Sequence, residues 1–265
     1  VRKVGTIAGR ELRSLFVSPV AYVVLTLWAL LGAFFFLSAV AEFQQIIGQL
    51  QQFQAFDRLR EINLNDDLIT PFFATMWIFL LIGVPAVTMG LFASEKANRT
   101  EELLLTSPVT IWEIALGKYI AVAVFVTLMT ALVGFFPGLL FLYGDPEVGK
   151  TATGLLGLLL MSLSYAAMGA FASAITASQI IAFFVALIFI VIFVVLSLLA
   201  NLAAAQGLMG GAAWLGELMR WLATLEHFYP MTDGLVETSD LVYFAAVTGS
   251  FLLLAKAAVE SVRWR

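Results

Sequence analysis

Gly144-Asp-Pro-Glu-Val-Gly149-Lys150-Thr151 matches the glycine-rich pattern whose backbone N–H groups cradle nucleotide phosphates. That loop works between a strand and a helix of a soluble α/β domain. Here it follows a membrane-length apolar run, holds Asp145 and Glu147 where phosphate would bind, and falls on the outer side of the topology derived below. It therefore reads as a turn between spans. His227 is the single histidine and cysteine is absent, so no second soft or imidazole ligand is at hand to complete a metal site, and an interfacial imidazole is the better reading. No nucleophile has a base beside it and no carboxylates pair inside an apolar run. No catalytic residue, metal site or complete nucleotide site is expected in this chain, and no residues single out a substrate site.

The remaining polar chemistry lies in one charged island, Glu95 to Tyr119, between the uncharged runs Leu68–Ser94 and Tyr119–Gly144. Seven charges (Glu95, Lys96, Arg99, Glu101, Glu102, Glu113, Lys118) at about 3 kcal/mol each would cost roughly 20 kcal/mol at a bilayer centre, so all seven are expected in water. Thr100 before Glu101 and Glu102 is a helix start, Pro108 ends that helix after about two turns, and Thr110-Ile-Trp-Glu113 is a capping box opening the next. A short helix carrying Leu103, Leu104 and Leu105 is thereby set between two spans. On the residues alone, a solvated loop is the simplest reading of the charges.

Arg99-Thr-Glu-Glu-Leu-Leu-Leu-Thr-Ser-Pro-Val-Thr110 resembles the cytosolic loop between the second and third spans of ABC-2 type transporter permeases, most closely the gliding-motility-type branch. Arg10-Glu-Leu-Arg-Ser-Leu-Phe-Val-Ser-Pro19 and Val259-Glu-Ser-Val-Arg-Trp-Arg265 resemble that branch too, so the likeness covers essentially the whole chain. It implies an all-α integral membrane fold of the ABC-2, type V exporter-like kind. The expected parts are six transmembrane helices, an N-terminal amphipathic elbow helix, a cytoplasmic coupling helix between spans two and three, and an outer re-entrant helical hairpin before span six.

The resemblance further implies a separate ABC ATPase, in two copies, which binds the ATP and Mg that this chain does not. Glu95, Arg99, Thr100, Glu101, Glu102, Leu103, Leu104, Leu105, Thr106 and Pro108 would couple to it. The three leucines would supply the docking surface, and Glu95, Arg99, Glu101 and Glu102 would fix register. The elbow residues Arg10, Glu11 and Arg13 would touch the ATPase as well. A second permease copy, same or related, and an outer-face (periplasmic) accessory protein are the other implied protein partners.

The elements that must position these residues follow from composition. The chain has 265 residues, 62% hydrophobic and 12% charged, against roughly 25% charged in soluble domains, and forms a single transmembrane permease domain over 1–265. Residues 3–18 alternate apolar and basic positions at helical spacing. On pattern alone that segment is equally an interfacial anchor, and its uncharged continuation to Ala41 is too long for the core of a signal peptide. Spans are expected at about 19–41, 70–94, 111–143, 152–175, 179–200 and 240–259, with the coupling helix at about 100–107.

Glu42–Thr70 reads as a helical hairpin or an extension of span one. Pro85 is expected to kink span two, and Gly134-Phe-Phe-Pro137-Gly138 to bend or unwind span three. Ser162, Ala166, Ala170 and Ala174 form a small-residue ladder, for a second permease copy or for packing within the chain. His227-Phe-Tyr-Pro230 is a candidate turn of the outer hairpin. Lys256 is expected to snorkel from span six.

Ten Lys and Arg fall on the side of the termini and four on the other, which places both termini and the central island in the cytoplasm. A seventh span within 201–226 would move the carboxy terminus. The expected setting is a bacterial cytoplasmic (inner) membrane, multi-pass, and the absence of a basic stripe excludes nucleic acid. The favoured function is the membrane-spanning subunit of an ATP-driven exporter. The alternative is a non-transporting scaffold that carries ATPase motion to an outer-face partner. An ion-coupled carrier is disfavoured because the long apolar runs hold no ionisable relay.

Overall fold

The computed structural model describes residues 2–54, 56–100, 109–205 and 213–262. Among them every regular element is helical. Six helices are long and apolar enough to cross a membrane, as expected where no water can satisfy backbone groups. In chain order the described elements are α1 (Arg2–Val17), α2 (Pro19–Gln52), α3 (Phe56–Leu59), a π-helical turn (Asn65–Ile69), α4 (Thr70–Thr88) and α5 (Ala93–Ala97). They continue as α6 (Ile111–Tyr143), α7 (Val148–Ile175), α8 (Gln179–Ala205), α9 (Ala213–Leu222), α10 (Thr224–Thr232) and α11 (Thr238–Val262).

The core is built around α7, which packs against α4, α6, α8, α10 and α11. Its sequence explains the position, since small side chains recur through it and other helices approach its backbone. A methyl group added at Gly169 would lie 2.0 Å from the Thr88 hydroxyl oxygen, so α4 and α7 touch there with no room for a side chain. Ser162, Ala166, Ala170 and Ala174 are all buried within the chain itself; the ladder is used internally.

Hydroxyls and one indole cross-link the helices through backbone oxygens: Tyr119 donates to the Leu163 carbonyl at 3.1 Å and the Trp28 Nε1–H to that of Met129 at 3.0 Å. α2 runs 34 residues, about 51 Å, so it overshoots a hydrocarbon core of about 30 Å as a continuous rod. Glu42–Gln52 is thus an extension of span one, not a hairpin.

Span three does not unwind at its proline. α6 continues unbroken through Gly134, Pro137 and Gly138 to Tyr143, because packing holds it there: Phe136 stacks on Phe36 at 5.7 Å, and Gly134 faces Leu155. Pro85 lies inside α4, which ends one turn later at Thr88, where the Thr88 hydroxyl donates to the Val84 carbonyl.

At the end of the bundle opposite the termini, Asn65 is a buried hub. Its amide nitrogen donates to the Glu147 carbonyl and the Thr151 hydroxyl, both at 3.1 Å, and its amide oxygen accepts the Glu147 N–H. Lys150 pairs with Asp66 at 3.1 Å. The groups that would grip a phosphate in Gly144–Thr151 are thus engaged elsewhere, and Gly149, Lys150 and Thr151 lie inside the first turn of α7 with no strand before them. At ten residues, about 15 Å, α9 is too short to cross a membrane.

His227 and Pro230 lie inside α10 and not in a turn; the chain breaks at Ala223, whose backbone is extended. His227 is sandwiched, with Nδ1 2.8 Å from Asp240 Oδ1, Nε2 3.1 Å from the Trp221 carbonyl, and its ring stacked on Tyr243 at 4.1 Å. Lys256 has an ion-pair partner one turn on, Glu260, so its charge is met within α11.

Candidate functional site: the charged junction of α1, α5 and α6

Where α4 ends, the turn before α5 is held by one side chain of α7. The Ser173 hydroxyl oxygen accepts the N–H groups of Phe92 (2.9 Å) and Ala93 (3.0 Å), and the hydroxyl donates to the Met89 carbonyl at 2.9 Å. Those amides are the orphan donors of a helix start. Lys96 of α5 donates to the Ala174 carbonyl, fixing the short helix to α7 a second time.

α5 ends in a tight cap. Arg99 takes a left-handed conformation (φ 56°), its N–H reaches the Lys96 carbonyl, and the Thr100 N–H reaches back to that of Glu95 at 3.0 Å. This is the Schellman arrangement, in which glycine is usual at the left-handed position. Beyond the charged segment, the capping box at the start of α6 is formed in full. The Thr110 hydroxyl accepts the Glu113 N–H at 3.3 Å and the Glu113 carboxylate accepts the Thr110 N–H at 2.9 Å. Both abutments of the segment are therefore built from local hydrogen bonds. Glu101, Glu102, Leu103, Leu104, Leu105, Thr106 and Pro108, and with them the expected coupling helix, lie outside the described residues.

Lys118 departs from the expectation that all seven charges sit in water: its side chain is 1% exposed. Its ammonium is 2.8 Å from Glu95 Oε1, 2.8 Å from the Leu91 carbonyl oxygen and 3.4 Å from Glu11 Oε1. The Phe92 ring lies 5.4 Å away. Three acceptors match the three N–H donors of a lysine, which is why the charge is tolerated in a buried place. Glu11 brings α1 into the ring and also accepts from Arg10 at 2.9 Å; Arg13 is exposed.

α1 can approach this closely because Gly117 faces it. A methyl group there would lie 2.7 Å from Ile7 Cγ2 and 3.2 Å from the Val4 carbonyl oxygen. The junction thus joins α1, α5 and α6 through one cation and two carboxylates. Counting charge missed the ring, but helical spacing marks it: Lys118 shares a face of α6 with Ile114, Ala115, Val122 and Phe125, all buried.

Residues 39–259 match the family model described as ABC-2 family transporter protein. The chain belongs to this family. No curated protein matches it. An ABC-2 permease is a membrane-spanning subunit of a transporter, and the six apolar helices make this one a multi-pass membrane protein. The match begins near the middle of α2 and runs through α11, so the charged segment, Glu95 and Lys118 fall within it, whereas α1 with Glu11 precedes it.

Proposed function

We propose that this ABC-2 permease is the membrane subunit of an ATP-driven exporter of the gliding-motility-type branch, seated in a bacterial inner membrane with both termini cytoplasmic. It works with two copies of a separate ABC ATPase, which hold ATP and Mg, and with a second permease copy. The ATPase docks on the segment from Glu95 to Pro108 through Leu103, Leu104 and Leu105. Glu95, Arg99, Glu101 and Glu102 set the register, Thr100, Thr106 and Pro108 belong to the same coupling segment, and the elbow residues Arg10, Glu11 and Arg13 lie beside the same partner.

The observation that carries this reading is the bonding of Lys118 to Glu95 and Glu11. A push on the segment after Thr100 reaches α5 through its closed cap, and reaches α6 and α1 through a buried ion ring. The test is copurification of the ATPase with the full chain. Leu103→Glu and Leu104→Glu are expected to depress hydrolysis in the complex, and unchanged hydrolysis refutes the coupling role.

One feature favours a second reading, a scaffold passing ATPase motion to an outer-face partner. α2 runs on to Gln52 as one rod, a stiff handle some 20 Å longer than the span requires. Cross-linking from Gln49 and Gln52 to a large outer-face protein, without cargo movement in vesicles, would favour this reading over export.

A further inference from the structure

The short helix α5 is tied to its surroundings through two adjacent residues. Glu95 faces Lys118 of α6, and through that ammonium Glu11 of α1. Lys96 turns to α7 instead and donates to the Ala174 carbonyl, one of the last four carbonyls of that helix, which have no partner within it. One residue earlier, Ser173 holds the turn before α5 by accepting from Phe92 and Ala93 and donating to Met89. α7 then runs away from this clamp for 28 residues, about 42 Å.

α4 keeps one register along α7. A methyl group added at Gly154 would lie 2.7 Å from Phe73 Cδ2, and one at Gly169 would lie 2.0 Å from the Thr88 hydroxyl oxygen. Ser173 bonds Phe92, and in all three pairs the partners are 81 positions apart in the chain. The two helices therefore lie parallel without slip, from Phe73 to Thr88 over about 22 Å. Backbones this close exchange between discrete arrangements and do not slide past one another.

At the other end of α7 the same two helices seat α10. A methyl group at Gly157 would lie 3.2 Å from both Phe228 Cδ2 and Met231 Cβ, and one at Gly154 would lie 3.6 Å from Thr232 Cα. Thr70, the first residue of α4, donates to the Thr232 carbonyl at 3.3 Å. A displacement of α7, with α4 in register beside it, moves the seat of α10.

We propose that Ser173 is the positioning residue through which movement of α5 enters α7, and that α7 and α4 together deliver it to α10 at the far end of the bundle. The proposal rests on the docking of an ATPase on the segment after Thr100. Ser173 is itself buried and acts through the backbone groups it holds. Two discrete positions of α10, both biased from α5, are what such coupling requires.

The chain has no cysteine, so Tyr229→Cys, at an exposed position of α10, gives the permease a single thiol. Its rate of labelling by a maleimide is measured in the full chain copurified with its ATPase, first without nucleotide and then trapped with ATP and vanadate. The rate is expected to shift between the two states. Ser173→Ala is expected to remove the shift while the ATPase still copurifies and hydrolyses ATP. Ser162→Ala is expected to keep it, because that equally buried hydroxyl of α7 donates to the Leu159 carbonyl of its own helix and lies 3.4 Å from Thr130, remote from α5. If Ser173→Ala yields no folded complex, Lys96→Met, which cuts the other tie to α7, decides by the same loss of the shift. An unchanged shift in Ser173→Ala, an equal loss in Ser162→Ala, or no shift with Tyr229→Cys alone overturns the proposal and leaves ATPase docking standing. Absence of the ATPase from the preparation, or hydrolysis indifferent to Leu103→Glu, instead refutes the docking, and the proposal with it.

Discussion

His227 Nδ1 lies 2.8 Å from Asp240 Oδ1, across the break between the short helix α10 and the last span, α11, with the two side chains 10% and 5% exposed. The second carboxylate oxygen accepts the Glu237 N–H at 3.2 Å, and His227 Nε2 faces the Trp221 carbonyl. Both ring nitrogens are thus within hydrogen-bonding distance of a fixed oxygen, the Asp240 carboxylate on one side and the Trp221 carbonyl on the other. His227→Phe keeps a ring against Tyr243 but strands the carboxylate. It is expected to destabilise α10 by about 3–5 kcal/mol, the range for breaking a buried pair. Adding Asp240→Leu is expected to recover part of that. Hydrogen exchange of the α10 amides reads both, and unchanged protection in the single variant would refute the pairing.

Lys118→Met is expected to leave Glu11 and Glu95 facing one another without a cation and to destabilise the chain by about 3–5 kcal/mol. The loss should appear as earlier release of α1, read by proteolysis near Gly9. Glu95→Gln in the same chain should restore a measurable part of it. By contrast Asp66→Asn, which breaks a solvent-screened pair with Lys150, should leave stability close to unchanged. Equal effects at the two sites would show that burial does not govern the junction.

Ser173→Ala removes the oxygen that holds Phe92 and Ala93. Two buried N–H groups then lose their partner, each loss costing about 1–3 kcal/mol. Faster amide exchange confined to Phe92, Ala93 and α5 is the expected signature, with α4 and α6 protected as before. Uniform loosening of the whole bundle would contradict it.

Gly169→Ala puts a methyl group where the Thr88 hydroxyl oxygen sits, and overpacking of this kind costs about 1–3 kcal/mol or more. Thr88→Ala in the same chain should give only partial relief, because Thr88 Cβ itself would be 2.6 Å from the added atom. Thermal unfolding in micelles compares the two. Full rescue by the double variant would mean that the backbones are not locked as closely as the structure has them.

The six spans, the amphipathic first helix and the Thr110–Glu113 cap were legible because each rests on local pattern: uncharged runs, 3.6-residue spacing and a four-residue hydrogen-bond signature. What escaped was settled between distant segments. Lys118 was placed in water by counting charges, yet its partners come from residues 11, 91 and 95. His227 looked solitary because Asp240, thirteen positions on, marked only the edge of a span. Pro137 suggested a break, but aromatic packing between α2, α4 and α6 keeps the helix running through it. Nothing in the local pattern around Ser173 shows that its hydroxyl anchors a turn eighty residues earlier.

The enclosure of α7 has a consequence for how the molecule senses its surroundings. Because that helix is wrapped by its neighbours, a thicker or thinner bilayer presses first on α2 and α8, whose apolar flanks face outward along their length. Mismatch is relieved by tilt at modest energy per ångström. Lipid composition therefore acts on the periphery of the bundle while its axis stays indifferent, and because α1 joins α2 directly at Ser18 and Pro19, any lean of α2 is passed straight to the amino-terminal helix.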